Sequence, residues 1–130
     1  MALKVELKPA ERIIIGTAVI RNGDQRVRFF IEGSAPILRE KDILTPESAD
    51  TAAKKIYLAI QLMYLGGETS GKNSPYFALL AEFIGAAPSA LPLIDEINNH
   101  ILSGELYKAL KAARKLIAYE QELMGNAVGS

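Results

Sequence analysis

The chain has no cysteine, a single histidine (His100) and no net charge, its 15 basic residues balancing 15 acidic ones over 130 residues. Without cysteine there are no disulfides, no thiolate metal sites and no cysteine nucleophile. One imidazole excludes any site built from two. No apolar run approaches the roughly 20 residues needed to span a bilayer. The longest uninterrupted stretch, Tyr76 to Ala81, is six residues. Lys4, Glu6, Lys8, Glu11 and Arg12 break up the first fifteen positions, so no signal-peptide apolar segment is present there. A soluble, cytoplasmic protein with no membrane association is expected. Zero net charge also argues against a simple polycationic nucleic-acid binder, while leaving local patches open.

The length is that of one ordinary domain, enough to bury a core unaided. Charge is unevenly placed. Residues 1–44 carry eight basic side chains against six acids, and residues 45–130 carry seven against nine. Five of the six arginines precede Leu44, and only Arg114 follows it.

The hydrophobic period changes at the same place. Leu3, Val5 and Leu7 alternate with Lys4, Glu6 and Lys8, the period of a half-buried strand. Pro9-Ala10 breaks that run, and Arg12–Ile15 reads as a second strand, its three isoleucines suited to burial on both faces or in an oligomer. Ala18–Arg21 follows Gly16. Asn22-Gly23-Asp24 reads as a tight hairpin leading into a strand over Gln25–Glu32, which places Arg26, Arg28 and Phe30 on one face and Arg21 just across the turn. Ile37–Arg39 is a last short strand. Beyond Leu44 the pattern is helical. Thr45-Pro46 is a cap-plus-proline start, with the first helix running from there or from Asp50 to Leu65. A second helix is expected over Tyr76–Ile84 after Ser74-Pro75, ended by Gly85. A third runs over Pro88–Ser103, stopped at Gly104, and a fourth over Glu105–Met124 with Leu106, Leu110 and Ile117 inward and a frayed end. The fold class is therefore α+β: an N-terminal antiparallel β module (1–44) followed by a four-helix region (45–130) packed on it, one cooperative domain. A module so small, with Val/Ile-rich edges, is expected to pair with further copies of itself.

Little in the chain points to catalysis. Residues 66–73, Gly-Gly-Glu-Thr-Ser-Gly-Lys-Asn, approach a phosphate-binding loop, but a helix precedes them and Asn73 stands where a Mg²⁺-binding hydroxyl belongs. Asp95, Glu96, Asn98, Asn99 and His100 share a helix without the further ligands a metal needs. Lys108, Lys111, Arg114 and Lys115 form a basic stripe whose ordinary reading is a solvated face. No enzyme, cofactor or metal is expected.

Leu7-Lys8-Pro9-Ala10-Glu11-Arg12-Ile13-Ile14-Ile15-Gly16, with Val27-Arg28-Phe29-Phe30-Ile31, Ala35-Pro36 and Arg39-Glu40-Lys41-Asp42-Ile43, resembles the strand pattern of the carbon-storage regulators. Those are small β dimers that bind messenger RNA leaders through arginines at strand edges. The resemblance implies that Arg39 stands at that family's principal RNA-contacting position. Ala10 occupies the place of its turn glycine, and Leu7 that of an arginine. Over the whole length the chain is similar to the FlbT family of flagellin regulators. The carrying runs are 7–16, Ala18-Val19-Ile20-Arg21-Asn22-Gly23-Asp24, Ala35 to Glu47, Ile56-Tyr57-Leu58-Ala59 and Gln61-Leu62-Met63-Tyr64. This second resemblance implies a protein that binds the 5′ untranslated region of flagellin mRNA and controls its translation and decay, repressing in the best-known members and acting positively in others, with FlaF or flagellin as a protein partner.

Affinity for RNA rests on phosphate neutralisation, and arginine's planar fork is the better donor set for it. The candidate RNA-binding residues are Arg39, then Arg28, Arg26 and Arg21, with Lys41 beside them, and Phe30 as a surface on which a base stacks. Surface ion pairing is the plain alternative role for each arginine, and core or interface filling the plain role for Phe30. A reading of a different class makes the apolar helical half a docking surface for a flagellar protein.

Overall fold

Period-two alternation is realised as five strands. They are β1 (Ala2–Leu7), β2 (Arg12–Ile15), β3 (Ala18–Arg21), β4 (Val27–Glu32) and β5 (Ile37–Arg39). The computed structural model describes residues 2–66 and 75–129, and the chain divides into two units, Met1–Ile43 and Leu44–Ser130. The first holds the five strands and a 3-10 turn over Glu40–Asp42, and the second holds the α-helices, the α+β composition expected.

In the first unit β1 pairs antiparallel with β4, and β2 lies between β3 and β5 in a second, three-stranded antiparallel sheet. Val5, Leu7 and Ile13 form its buried centre, with Ile15, Phe29, Ile31 and Ile37 packed around them. Alternation places Lys4 and Glu6 outward, one on either side of the buried Val5.

The pairing corrects the expected hairpin at Asn22-Gly23. Strands β3 and β4 belong to different sheets, and the tight hairpin is β2–β3, where Ile15 pairs with Ala18 across Gly16-Thr17. Gly16 has φ +63°, the positive angle that a two-residue loop with glycine first requires. Asn22 instead clamps two chain reversals together. Its Nδ2 donates to the carbonyls of Lys8 and Gln25, both at 2.8 Å, and to that of Leu7 at 3.3 Å. The Ala10 N–H donates to the Gly23 carbonyl at 2.8 Å. Lys8 to Glu11 closes as a turn, the Glu11 N–H donating to the Lys8 carbonyl at 3.0 Å. Pro9 precedes Ala10 at φ +64°, the pattern of a type II turn, with alanine in the position that favours glycine.

The second unit comprises α1 (Ala52–Tyr64), α2 (Tyr76–Ala86), α3 (Leu91–Leu102) and α4 (Leu106–Gly129). Ile56, Ile60, Tyr76, Ile94, Ile97, Leu110 and Leu116 are buried in it. Helix α1 starts later than Thr45-Pro46. Those residues close a turn in which the Thr45 carbonyl accepts from the Ser48 and Ala49 N–H groups at 3.0 and 2.9 Å. The cap is Thr51, whose hydroxyl accepts from the Lys54 N–H. Gly85 does not stop α2, which ends at Ala86. Ala87 is extended (φ −142°, ψ 75°) because Pro88 follows it, and Pro88–Ala90 is a 3-10 turn before α3. Gly104 does stop α3, at φ +75°, with Glu105 N–H donating to the His100 carbonyl at 2.8 Å and Gly104 N–H to that of Ile101 at 3.1 Å.

Helix α4 runs past Met124 to Gly129. Its inner stripe is Ala109, Leu110, Ala113, Leu116 and Glu120, whereas Leu106 and Ile117 are only half-buried. Gln61, buried in α1, holds the peptide of Leu44 from both sides. Its Nε2 donates to the Leu44 carbonyl at 3.0 Å, and its Oε1 accepts from the Leu44 N–H at 2.9 Å. Ser74 and residues 67–73 of the glycine-rich segment lie outside the described residues.

Candidate nucleic-acid interface

The β1–β4 register sets Glu6 opposite Arg28 and Leu7 opposite Val27, so Arg26 emerges just before β4 near the end of β1. On the other sheet Arg39 ends β5, opposite Ile13. Its Nη2 reaches the backbone carbonyl of Glu6 at 2.9 Å and ties the closing strand of one sheet to the first strand of the other. These placements enclose a recess of about 320 Å³ lined by Glu6, Leu7, Lys8, Glu11, Arg26, Arg39 and Lys41. Four cations and two carboxylates thus face a floor made by the buried Leu7. Glu11 is held in the turn, its Oε1 accepting from the Lys8 backbone N–H at 2.8 Å.

A second recess, lined by Glu6, Arg26, Val27 and Arg28, shares Glu6 and Arg26 with the first and extends the basic surface along β4. The Glu6 carboxylate is its counter-ion, with Arg28 Nε at 3.3 Å and Lys4 Nζ at 3.7 Å. Both pairs are well exposed, and such pairs contribute about 0–1 kcal/mol. Phe30 lies opposite Lys4 on the same outward face as Arg28 and is 63% exposed, so it fills no core in this unit.

Of the five residues singled out in the sequence, Arg26, Arg39 and Lys41 line one recess and Arg28 adjoins them. Arg21 lies elsewhere. It ends β3 opposite Arg12, which is itself paired to Glu40 at 3.1 Å, and it lines neither recess. The displacement follows from the strand pairing: β3 is not the neighbour of β4, so the turn between them does not bring Arg21 to Arg26 and Arg28. Lys8 was not among the sequence candidates. Its signal was its place next to the Pro9-Ala10 turn, beside the end of the first strand.

The other clusters are occupied locally. On α3 the Asn98 Oδ1 accepts from the Tyr76 hydroxyl at 2.6 Å, Glu96 pairs with Lys115 at 3.1 Å, and His100 faces Glu105 at 3.6 Å. The Glu105 carboxyl is held below its ordinary range, first by its hydrogen bond from Lys108. On the α4 stripe Lys108 pairs with Glu105 at 2.7 Å, and Lys111 lies 5.1 Å from the centre of the Tyr107 ring. Among the described residues no group of three or more His, Asp or Glu side chains is placed to hold a metal, and no helix is long and apolar enough to cross a membrane.

Comparison with known proteins bears on the whole chain. The family described as "Flagellar protein FlbT" matches residues 3–124. A "Probable flagellum biosynthesis repressor protein FlbT 1" of Bradyrhizobium diazoefficiens is 59% identical over 126 residues, covering 96% of this chain and 86% of its own. A "Probable flagellum biosynthesis repressor protein FlbT" of Rhodopseudomonas palustris is 53% identical, covering 95% and 98%. The "Flagellum biosynthesis repressor protein FlbT" of Caulobacter vibrioides is 40% identical, covering 97% and 92%. No solved structure matches the chain.

Proposed function

The chain belongs to the FlbT family of flagellar proteins, and from that premise we propose that it represses flagellum biosynthesis by binding the 5′ untranslated region of flagellin mRNA with the basic face of its β unit. Regulation of flagellum biosynthesis is the part that the relatives' shared description supports. The RNA contact is supported by one observation above the others. Lys8, Arg26, Arg39 and Lys41, from three separate stretches of a chain with no net charge, converge on one recess.

The recess sets cationic donors side by side where a phosphodiester backbone needs them, and phosphate neutralisation is the main source of RNA affinity. Arg39 spends one N–H on the Glu6 carbonyl, which fixes its guanidinium plane and leaves the rest of its fork for an incoming oxygen. Arg28 and the exposed ring of Phe30 lie further along β4, where an unstacked base of a single strand rests against an aromatic face. Regulation then follows from occupancy: protein on a leader controls ribosome and nuclease access to the transcript, with no chemistry by the protein itself.

The direct test is a titration of purified protein against labelled flagellin leader RNA at two salt concentrations, beside Arg39→Ala. Expected is affinity that falls with salt and drops about tenfold in the variant, the order of 1.4 kcal/mol for one charge-assisted contact. Folded protein that leaves the leader unbound, or that binds it equally well without Arg39, overturns the reading.

A further inference from the structure

Glu120 interrupts an apolar stripe. It follows Ala113 and Leu116 on the inner face of α4 and is only 9% exposed. One of its oxygens, Oε2, accepts the Ala53 N–H at 3.0 Å in the first turn of α1. Capping that turn needs one acceptor, which an uncharged side chain would supply. The other oxygen, Oε1, is buried and has no hydrogen-bond partner among the described residues. A buried carboxylate oxygen without a donor is costly and is rarely left so in a folded protein.

The same residue lines an open groove of about 380 Å³ between the ends of α2 and α4. Phe83, Ala86, Leu123 and Met124 make its apolar part, and Glu82 is its second polar side chain. Both polar side chains are thus acidic, no cation among the described residues lines the groove, and the unit that carries it has nine acidic residues against seven basic. Met124, 54% exposed, supplies the adaptable thioether that suits helix-in-groove recognition.

From these observations we infer that the α2–α4 groove is a docking site for a protein partner that inserts an apolar side chain flanked by a lysine or arginine, whose cation pairs with the Glu82 and Glu120 carboxylates. The apolar walls take the anchor and exclude water, and the two carboxylates select a basic segment over an acidic one. This surface lies wholly in the helical unit and is independent of the RNA reading, so either stands without the other.

A displayed library of random 12-residue peptides, selected on the full chain, tests the inference. Selected peptides are expected to combine Leu, Phe or Met with Lys or Arg. Their affinity, read by fluorescence anisotropy, is expected to fall at least tenfold on Ala86→Lys, which puts bulk and a charge like the peptide's own into the groove at an exposed position. Glu120→Gln, which keeps an acceptor for the Ala53 N–H, is expected to weaken them similarly. If Glu120→Gln fails to fold, Ala86→Lys decides alone. No enrichment, selection of acidic or uncharged peptides, or equal binding to Ala86→Lys overturns the inference. So does loss of self-association in that variant, which would assign the groove to a second copy of the chain.

Discussion

Arg39 donates from Nη2 to the backbone carbonyl of Glu6 at 2.9 Å, so the first strand positions the arginine at the end of the last. The same Glu6 uses its carboxylate to hold Arg28 at 3.3 Å. One residue therefore orients one cation through its backbone and neutralises another through its side chain. The two roles separate on mutation. Glu6→Gln keeps the carbonyl that holds Arg39 and removes the charge that competes for Arg28. Leader RNA is expected to bind about two- to fivefold more tightly, in line with the worth of one exposed ion pair. Unchanged or weaker Kd values in a filter-binding assay would show that Arg28 does not contact RNA.

Ala10 carries the only positive φ among the described non-glycine residues, +64°. An L side chain in that region costs about 1–2 kcal/mol, and glycine there gives back about 0.5–1 kcal/mol in unfolded-state entropy. Ala10→Gly is thus expected to stabilise the β unit by about 0.5–1 kcal/mol. Denaturant unfolding monitored by β-sheet signal checks it. A lower midpoint would mean that the turn carries no strain.

Gln61 satisfies both the N–H and the carbonyl of Leu44 from within the core of the helical unit. Gln61→Leu keeps roughly the same volume but leaves both backbone groups without that partner. Helical-unit stability is expected to fall by about 1–3 kcal/mol. Thermal unfolding followed by circular dichroism reads the effect, and a neutral outcome would mean that water replaces the side chain at no cost.

Strand β3 is the end strand of its sheet, all four of its residues are exposed, and Val19 and Ile20 keep 62% and 41% of their surface open. An apolar edge of this kind pairs with another strand unless a charge blocks it. We expect the 14.1 kDa chain to self-associate in solution and Val19→Lys to shift it to the monomer by light scattering. A wild-type chain that is already monomeric would remove the edge from the argument.

Elements whose signal is local were legible in the residues themselves. Alternation at Leu3, Val5 and Leu7, the triple isoleucine of β2 and the Gly104 stop each act within a few positions, so strand and helix follow from side-chain period and backbone freedom alone. Arg26, Arg39 and Lys41 were likewise readable as candidates, because cation chemistry belongs to the residue type. What only tertiary structure decided is non-local. Strand pairing put the tight hairpin at Gly16-Thr17 and Arg21 away from the recess, since pairing partners are chosen by core burial and by the Asn22 clamp, not by adjacency in the chain. Strand pairing also brought Lys8 to the recess, and helix packing set Glu120 against the start of α1. Period decides which residues share a face; only the packing of distant segments decides which faces meet.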